Sequence, residues 1–219
     1  MTSLDISPRP LGPKPPGPTA RIRAGLGFGA GALSVGVALM SYRYLAHLGP
    51  VPPNIAHNSF LNPWIILHAG AAATALLSGP LQLLQPLRRR WPSVHRWLGR
   101  LYVVGCLLGG ASGLVLAAGV STGPIAQAGF ATLGVLWIYV TLQGWRMARA
   151  HRWADHQRWM IRSFALTFAA VTLRVYIPIV LVLGLDFSTS YRAIAWLAWV
   201  PNAIAAELYL RRKSIKTTR

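Results

Sequence analysis

GPLQLLQPLRRRWPSVHRWLGRLYV, residues 79–103, ends one apolar run, crosses a cluster of arginines and opens the next apolar run with a histidine. A second stretch, ADHQRWMIRSF at residues 154–164, again sets His, then Trp, then Arg at the start of an apolar run. The apolar runs on either side are about 20 residues long or more. As helices, 20 residues cover roughly 30 Å, the thickness of a bilayer's hydrocarbon core. We therefore read both stretches as turns on one face of a membrane, with the rest of the chain hung between such turns as hydrophobic spans.

Working outward, six spans are expected, at residues 24–45, 63–84, 94–120, 125–148, 157–185 and 191–210. Only 12% of the 219 residues are charged, against about 25% in an ordinary soluble domain, which favours a polytopic membrane protein. The formal charge of +18 would suit a nucleic-acid binder. The basic residues, however, fall in short clusters between apolar runs, as in cytoplasmic loops, so no nucleic-acid partner is expected. The first segment, the 84–94 and 148–157 turns and the C-terminus hold most of the Lys and Arg. The loop at residues 47–62 and the STGP turn at 121–124 hold none. The expected fold is all-α: a polytopic membrane protein with six transmembrane helices around a four-helix core of spans two to five, both termini cytoplasmic. The bilayer is its first partner and a bacterial inner membrane its expected location.

Residues 1–20 carry Pro8, Pro10, Pro13, Pro15, Pro16 and Pro18, which suits a disordered or polyproline-like tail. Residues 21–212 form the transmembrane domain, and 213–219 a basic tail. The first apolar run is long and is not followed by a small-x-small cleavage site, so it reads as a retained span rather than a signal peptide. Small residues recur at helical spacing, as Gly70, Thr74 and Ser78 in span two and Gly105, Gly109 and Gly113 in span three. Such stripes let membrane helices approach closely, within one molecule or between two. Pro80 is expected to kink span two, and Ser93 and Asp155 to cap spans three and five. Cys106 is the single cysteine, so no intrachain disulfide can form.

Three sets of residues bear chemistry. His95 and His156 open spans three and five on the same side. A helix N-terminus disfavours imidazolium, which leaves the neutral ring that can ligate a metal. They either face each other across the core or bond phosphate and water at the headgroup level. His68 lies within span two, where a histidine needs an interior partner. Arg174 lies in the middle of span five, where an arginine costs at least about 2.5–3.5 kcal/mol without a partner or a wet cavity. It follows His156 by 18 residues, five helical turns, so the two should share a face with Ser163 and Thr167. Asn202 and Glu207 on span six are its candidate partners, unless Arg174 is only a clamp between helices. No HExxH, phosphate-binding glycine loop or nucleophile elbow is present, so no protein-ligated metal site is expected and no catalytic residue is assigned.

HAGAAATALLSGPLQLLQPLRRRWPSVHRWLGRLY (68–102), DHQRWMIRSFALTFAAVTLRVY (155–176) and WLAWVPNAIAAE (196–207) together resemble the bacterial membrane-protein family of domain of unknown function 2306. A second likeness is to six-helix cytochromes of the b561 type, in which helices three and five share one haem. That resemblance implies a b-type haem held by His95 and His156, with His68 matching one ligand of a second site. Span four, residues 125–148, has no histidine to complete that second site. Gly99, Cys106 and Gly113 would leave room for the ring, arginines would neutralise the propionates, and the partner would be a quinone or a cytoplasmic electron donor. The alternative is a cofactor-free transporter or lipid- and small-molecule-binding protein with a polar cavity around Arg174, Asn202 and Glu207. A purely structural or assembly role is the third.

Overall fold

The computed structural model describes residues 17–46, 48–49 and 53–217. The proline-rich tail falls almost wholly outside them, as does His47. Every regular element among the described residues is helical. Among the described residues, six helical segments are long and apolar enough to cross a membrane, and they are the six spans expected.

Span one is α1 (Pro18–Tyr42), followed by a short loop helix α2 (Pro53–Ala56). Span two is α3 (Trp64–Leu83). The arginine cluster then forms its own short helix, α4 (Gln85–Arg90), after one extended residue at Leu84. Spans three and four are α5 (Pro92–Ala118) and α6 (Pro124–Arg149). Span five is two helices, α7 (Trp153–Thr167) and α8 (Ala169–Val182), and span six is another two, α9 (Phe187–Leu197) and α10 (Val200–Thr217). Helix α10 runs on through most of the segment expected to be a C-terminal tail.

The breaks have local causes. On either side of Phe168 a threonine turns back on the helix: Thr167 Oγ1 donates to the Ser163 carbonyl and Thr172 Oγ1, one turn on, to the Phe168 carbonyl. Such back-bonding bends helices. Pro201 lies in the first turn of α10, where its missing N–H costs no intrahelical bond, and so favours a helix that starts anew there. Two expected caps are corrected. Helix α5 is led by Trp91 with Pro92 in its first turn, so Ser93 lies inside the helix. Helix α7 is led by Arg152, and Asp155 sits in its first turn, where the helix dipole favours a carboxylate. A cap does form at Asp186, whose carboxylate accepts the Thr189 amide at 2.7 Å. That bond holds the Asp186 carboxyl below its ordinary range.

Spans two to five pack as a four-helix group. Ala75, Tyr102, Cys106, Trp137, Val140, Leu166 and Ala169 form one buried cluster, and Trp199 of span six closes it. The span-three glycines face span two within the molecule: a Cβ on Gly105 would lie 2.8 Å from the Ala71 carbonyl oxygen, and one on Gly109 would lie 3.2 Å from the Ala72 amide. Span one packs on the outside, with Ala38 against Ala73, Leu76 and Val171. Much of its remaining surface, including Leu26, Phe28 and Leu39, is exposed, as suits a lipid-facing helix.

Candidate functional site

The arginine-rich end of the bundle holds a cavity of about 910 Å³. Helices α5 and α7 start there, so the first turns of spans three and five form its walls. His95 and His156 both line it, and the two rings lie within electrostatic range of each other. Turn-spaced residues extend each wall: Gly99 and Tyr102 lie one and two turns above His95, and Met160 one turn above His156. Span two contributes Gly79 and Gln82, whose amide donates to the His95 carbonyl at 3.1 Å. Arg88, Arg96, Arg100 and Arg149 rim the mouth, with Trp145 and Trp153 beside them.

The histidines are not equivalent. His156 Nδ1 lies 2.8 Å from the Gly144 carbonyl. A carbonyl only accepts, so Nδ1 carries the proton, and in the neutral ring Nε2 keeps its lone pair. A backbone carbonyl orients many metal-ligating histidines in this way. His95 Nδ1 is buried and has no hydrogen-bond partner. A buried polar atom without a partner is uncommon and marks a position where a missing group would complete the site.

A buried hydroxyl network forms the cavity's floor. Tyr102 OH is 2.9 Å from both Ser163 Oγ and Thr167 Oγ1, and Thr141 Oγ1 is 2.7 Å from Ser163 Oγ. Counting protons fixes its direction. Thr167 gives its hydrogen to the Ser163 carbonyl and accepts from Trp137 Nε1. Tyr102 must then donate to Thr167, Ser163 to Tyr102, and Thr141 to Ser163. Spans three, four and five are thereby tied together just above the cavity. Cys106 lies fully buried in the same cluster.

The other candidate residues lie elsewhere. His68 Nδ1 meets the Gly109 carbonyl at 2.8 Å, and its ring packs where a Cβ on Gly113 would come within 3.1 Å. Cys106 and Gly113 therefore leave no room beside His95; of the three small residues, only Gly99 does. Arg174, Asn202 and Glu207 do not meet. Asn202 Nδ2 donates to Thr172 Oγ1 and to the Ala198 carbonyl, both at 3.0 Å. Glu207 accepts both arms of Arg162, at 2.5 and 3.0 Å. Arg174 reaches the other way, donating to Ser41 Oγ of span one at 2.8 Å and to the Ala170 carbonyl at 3.1 Å.

The shared face expected for His156 and Arg174 is thus corrected. Ser163 and Thr167 meet Tyr102 of span three, whereas the Arg174 guanidinium is bonded toward span one. Arg174 lies eight residues from the end of α8, about 12 Å along the axis. Its long side chain extends to Ser41, the next-to-last residue of α1, and so takes its charge toward the far end of the bundle. Tyr102, Gln82 and Arg162 were not singled out from the sequence. The signal for Tyr102 was available, because its seven-residue spacing from His95 sets both on one face of a helix.

Comparison with known proteins adds the family and nothing about activity. No curated protein and no solved structure matches the chain. Residues 65–210, the whole run from span two to span six, match a family model described as predicted membrane protein, DUF2306, and the chain belongs to that family of multi-pass membrane proteins.

Proposed function

We propose that this protein is a membrane redox carrier in which His95 of α5 and His156 of α7 would hold one b-type haem. The observation that carries this is the pairing of those rings across one cavity, one with its Nε2 lone pair free and the other with an unpartnered buried nitrogen. At about 910 Å³ the cavity falls within the range of sites that bury a cofactor-sized molecule. When bound, the haem supplies reversible one-electron transfer at iron.

The chain's own residues account for the rest. Gly144 fixes the His156 tautomer, and Gln82 ties the start of α5 to span two. The four rim arginines would neutralise the propionates, as fixed cations do for carboxylates. The Tyr102 network seals the floor against water. A quinone in the bilayer or a cytoplasmic electron donor would be the exchange partner. The basic clusters support an orientation with this cavity and both termini on the cytoplasmic side of a bacterial inner membrane.

The test is an absorption spectrum of the detergent-purified protein, oxidised and then dithionite-reduced. A Soret band with a sharpened α-band on reduction is expected. His95→Ala and His156→Ala should each abolish or strongly shift it, while His68→Ala keeps it. A featureless spectrum from cells with ample haem would retire the proposal. A cofactor-free transporter or lipid-binding protein built on Arg174 draws less support, because Arg174, Asn202 and Glu207 are engaged at three separate places.

A further inference from the structure

The chain has four acidic residues, and the three that are described are committed away from Arg174. Asp155 pairs with Arg152 at 2.6 Å, Glu207 with Arg162, and Asp186 caps α9. Among the described residues, Arg174 is therefore a guanidinium inside a membrane span whose hydrogen bonds go to neutral acceptors, the Ala170 carbonyl and Ser41 Oγ. Ser41 spends its own hydrogen on the Val37 carbonyl at 2.7 Å, so it can only accept from Arg174.

A second arginine stands two residues beyond Ser41. The Arg43 guanidinium lies 5.0 Å from the centre of the Tyr44 ring, and its Nε is buried without a hydrogen-bond partner. Arg43 and Arg174 lie within electrostatic range of each other and of Tyr44. Two cations brought together at the edge of a low-dielectric region repel strongly unless an anion lies between them. The Ser41 bond brings Arg174 to the end of span one that carries Arg43, and guanidinium groups are suited to the oxygens of a phosphate group.

We propose that Arg43 and Arg174 form an anion site between spans one and five, at the end of the bundle opposite the histidine cavity, and that it takes one phosphate-type group. The source is either the phosphodiester of an anionic lipid headgroup or free inorganic phosphate. The site accounts for an arginine in span five that has no carboxylate partner among the described residues. It stands independently of the haem proposal, since it shares no residue with that cavity.

The experiment uses the full-length protein in neutral detergent, followed by thermal unfolding. One arm adds short-chain phosphatidylglycerol against the same concentration of phosphatidylcholine. The other adds inorganic phosphate against chloride at matched ionic strength. The anion should raise the midpoint by about 3–6 °C at saturating concentration. Arg43→Gln and Arg174→Gln should each remove that increment, and Arg174→Lys should keep part of it. A response to lipid alone identifies a headgroup, a response to phosphate alone identifies a free anion, and either supports the site.

No increment in the wild type overturns the proposal. So does an increment that survives either glutamine variant, because it would then arise at the arginine-rich end. If Arg174→Gln fails to fold, Arg43→Gln and Arg174→Lys still decide. Where the lipid arm responds, native mass spectrometry of the wild type and Arg43→Gln gives a second readout: the variant should retain one fewer phosphatidylglycerol.

Discussion

Tyr102 is the residue on which three spans depend. It is 1% exposed, and its hydroxyl accepts from Ser163 and donates to Thr167. Both partners keep other bonds when it is removed: Ser163 that of Thr141, and Thr167 those of Trp137 and the Ser163 carbonyl. Hydrogen bonds inside membrane proteins average about 0.6 kcal/mol each. Tyr102→Phe should therefore lower stability by about 1 kcal/mol, measured by reversible denaturation in mixed micelles. No loss would mean that the network does not form in the micelle. A loss above about 3 kcal/mol would mean that its members act as one cooperative unit.

At the scale of elements, glycine content alone does not say which helix is pressed against another. Span one has glycines with open space around them: nothing lies within 4 Å of a Cβ at Gly25, Gly27, Gly29 or Gly36. Span three has glycines against backbone. Gly105→Ala would bring a methyl 2.8 Å from the Ala71 carbonyl oxygen and 3.2 Å from the Ala75 amide. Main-chain atoms cannot swing aside, so α3 and α5 must separate, at a cost of about 1–3 kcal/mol. Gly36→Ala should be neutral or stabilise by up to about 1 kcal/mol through helix propensity. Thermal unfolding of the two variants side by side checks the contrast. Gly144→Ala is an intermediate case, because the methyl would meet the flexible side chain of Met160.

For the whole molecule, one end of the bundle carries the arginines and the histidine cavity, and the other carries the loops almost free of basic residues. If charge sets orientation, the two ends face opposite compartments. Ser121 and Ala150 are exposed at opposite ends. In intact cells, a membrane-impermeant maleimide should label Ser121→Cys and leave Ala150→Cys untouched until the membrane is opened. Cys106 is fully buried and serves as an internal control. The reverse pattern would turn the protein over and move the cavity to the outside.

Six spans, their order and the end at which His95 and His156 lie were legible in the residues. Hydropathy over 20 residues, clustered arginines and first-turn position are local properties, and a bilayer leaves the backbone few alternatives to helices. The partners of Arg174, Asn202 and Glu207 were not legible. Each is decided by the rotation of one helix about its axis and by the reach of its side chain, and both depend on what the neighbouring spans offer. The sequence by itself determined a six-span membrane protein with two histidines opening spans three and five. Only the tertiary structure decided that those histidines share a cavity while Arg174 turns to span one, because helix rotation is set by packing between spans, which no periodicity along one span carries.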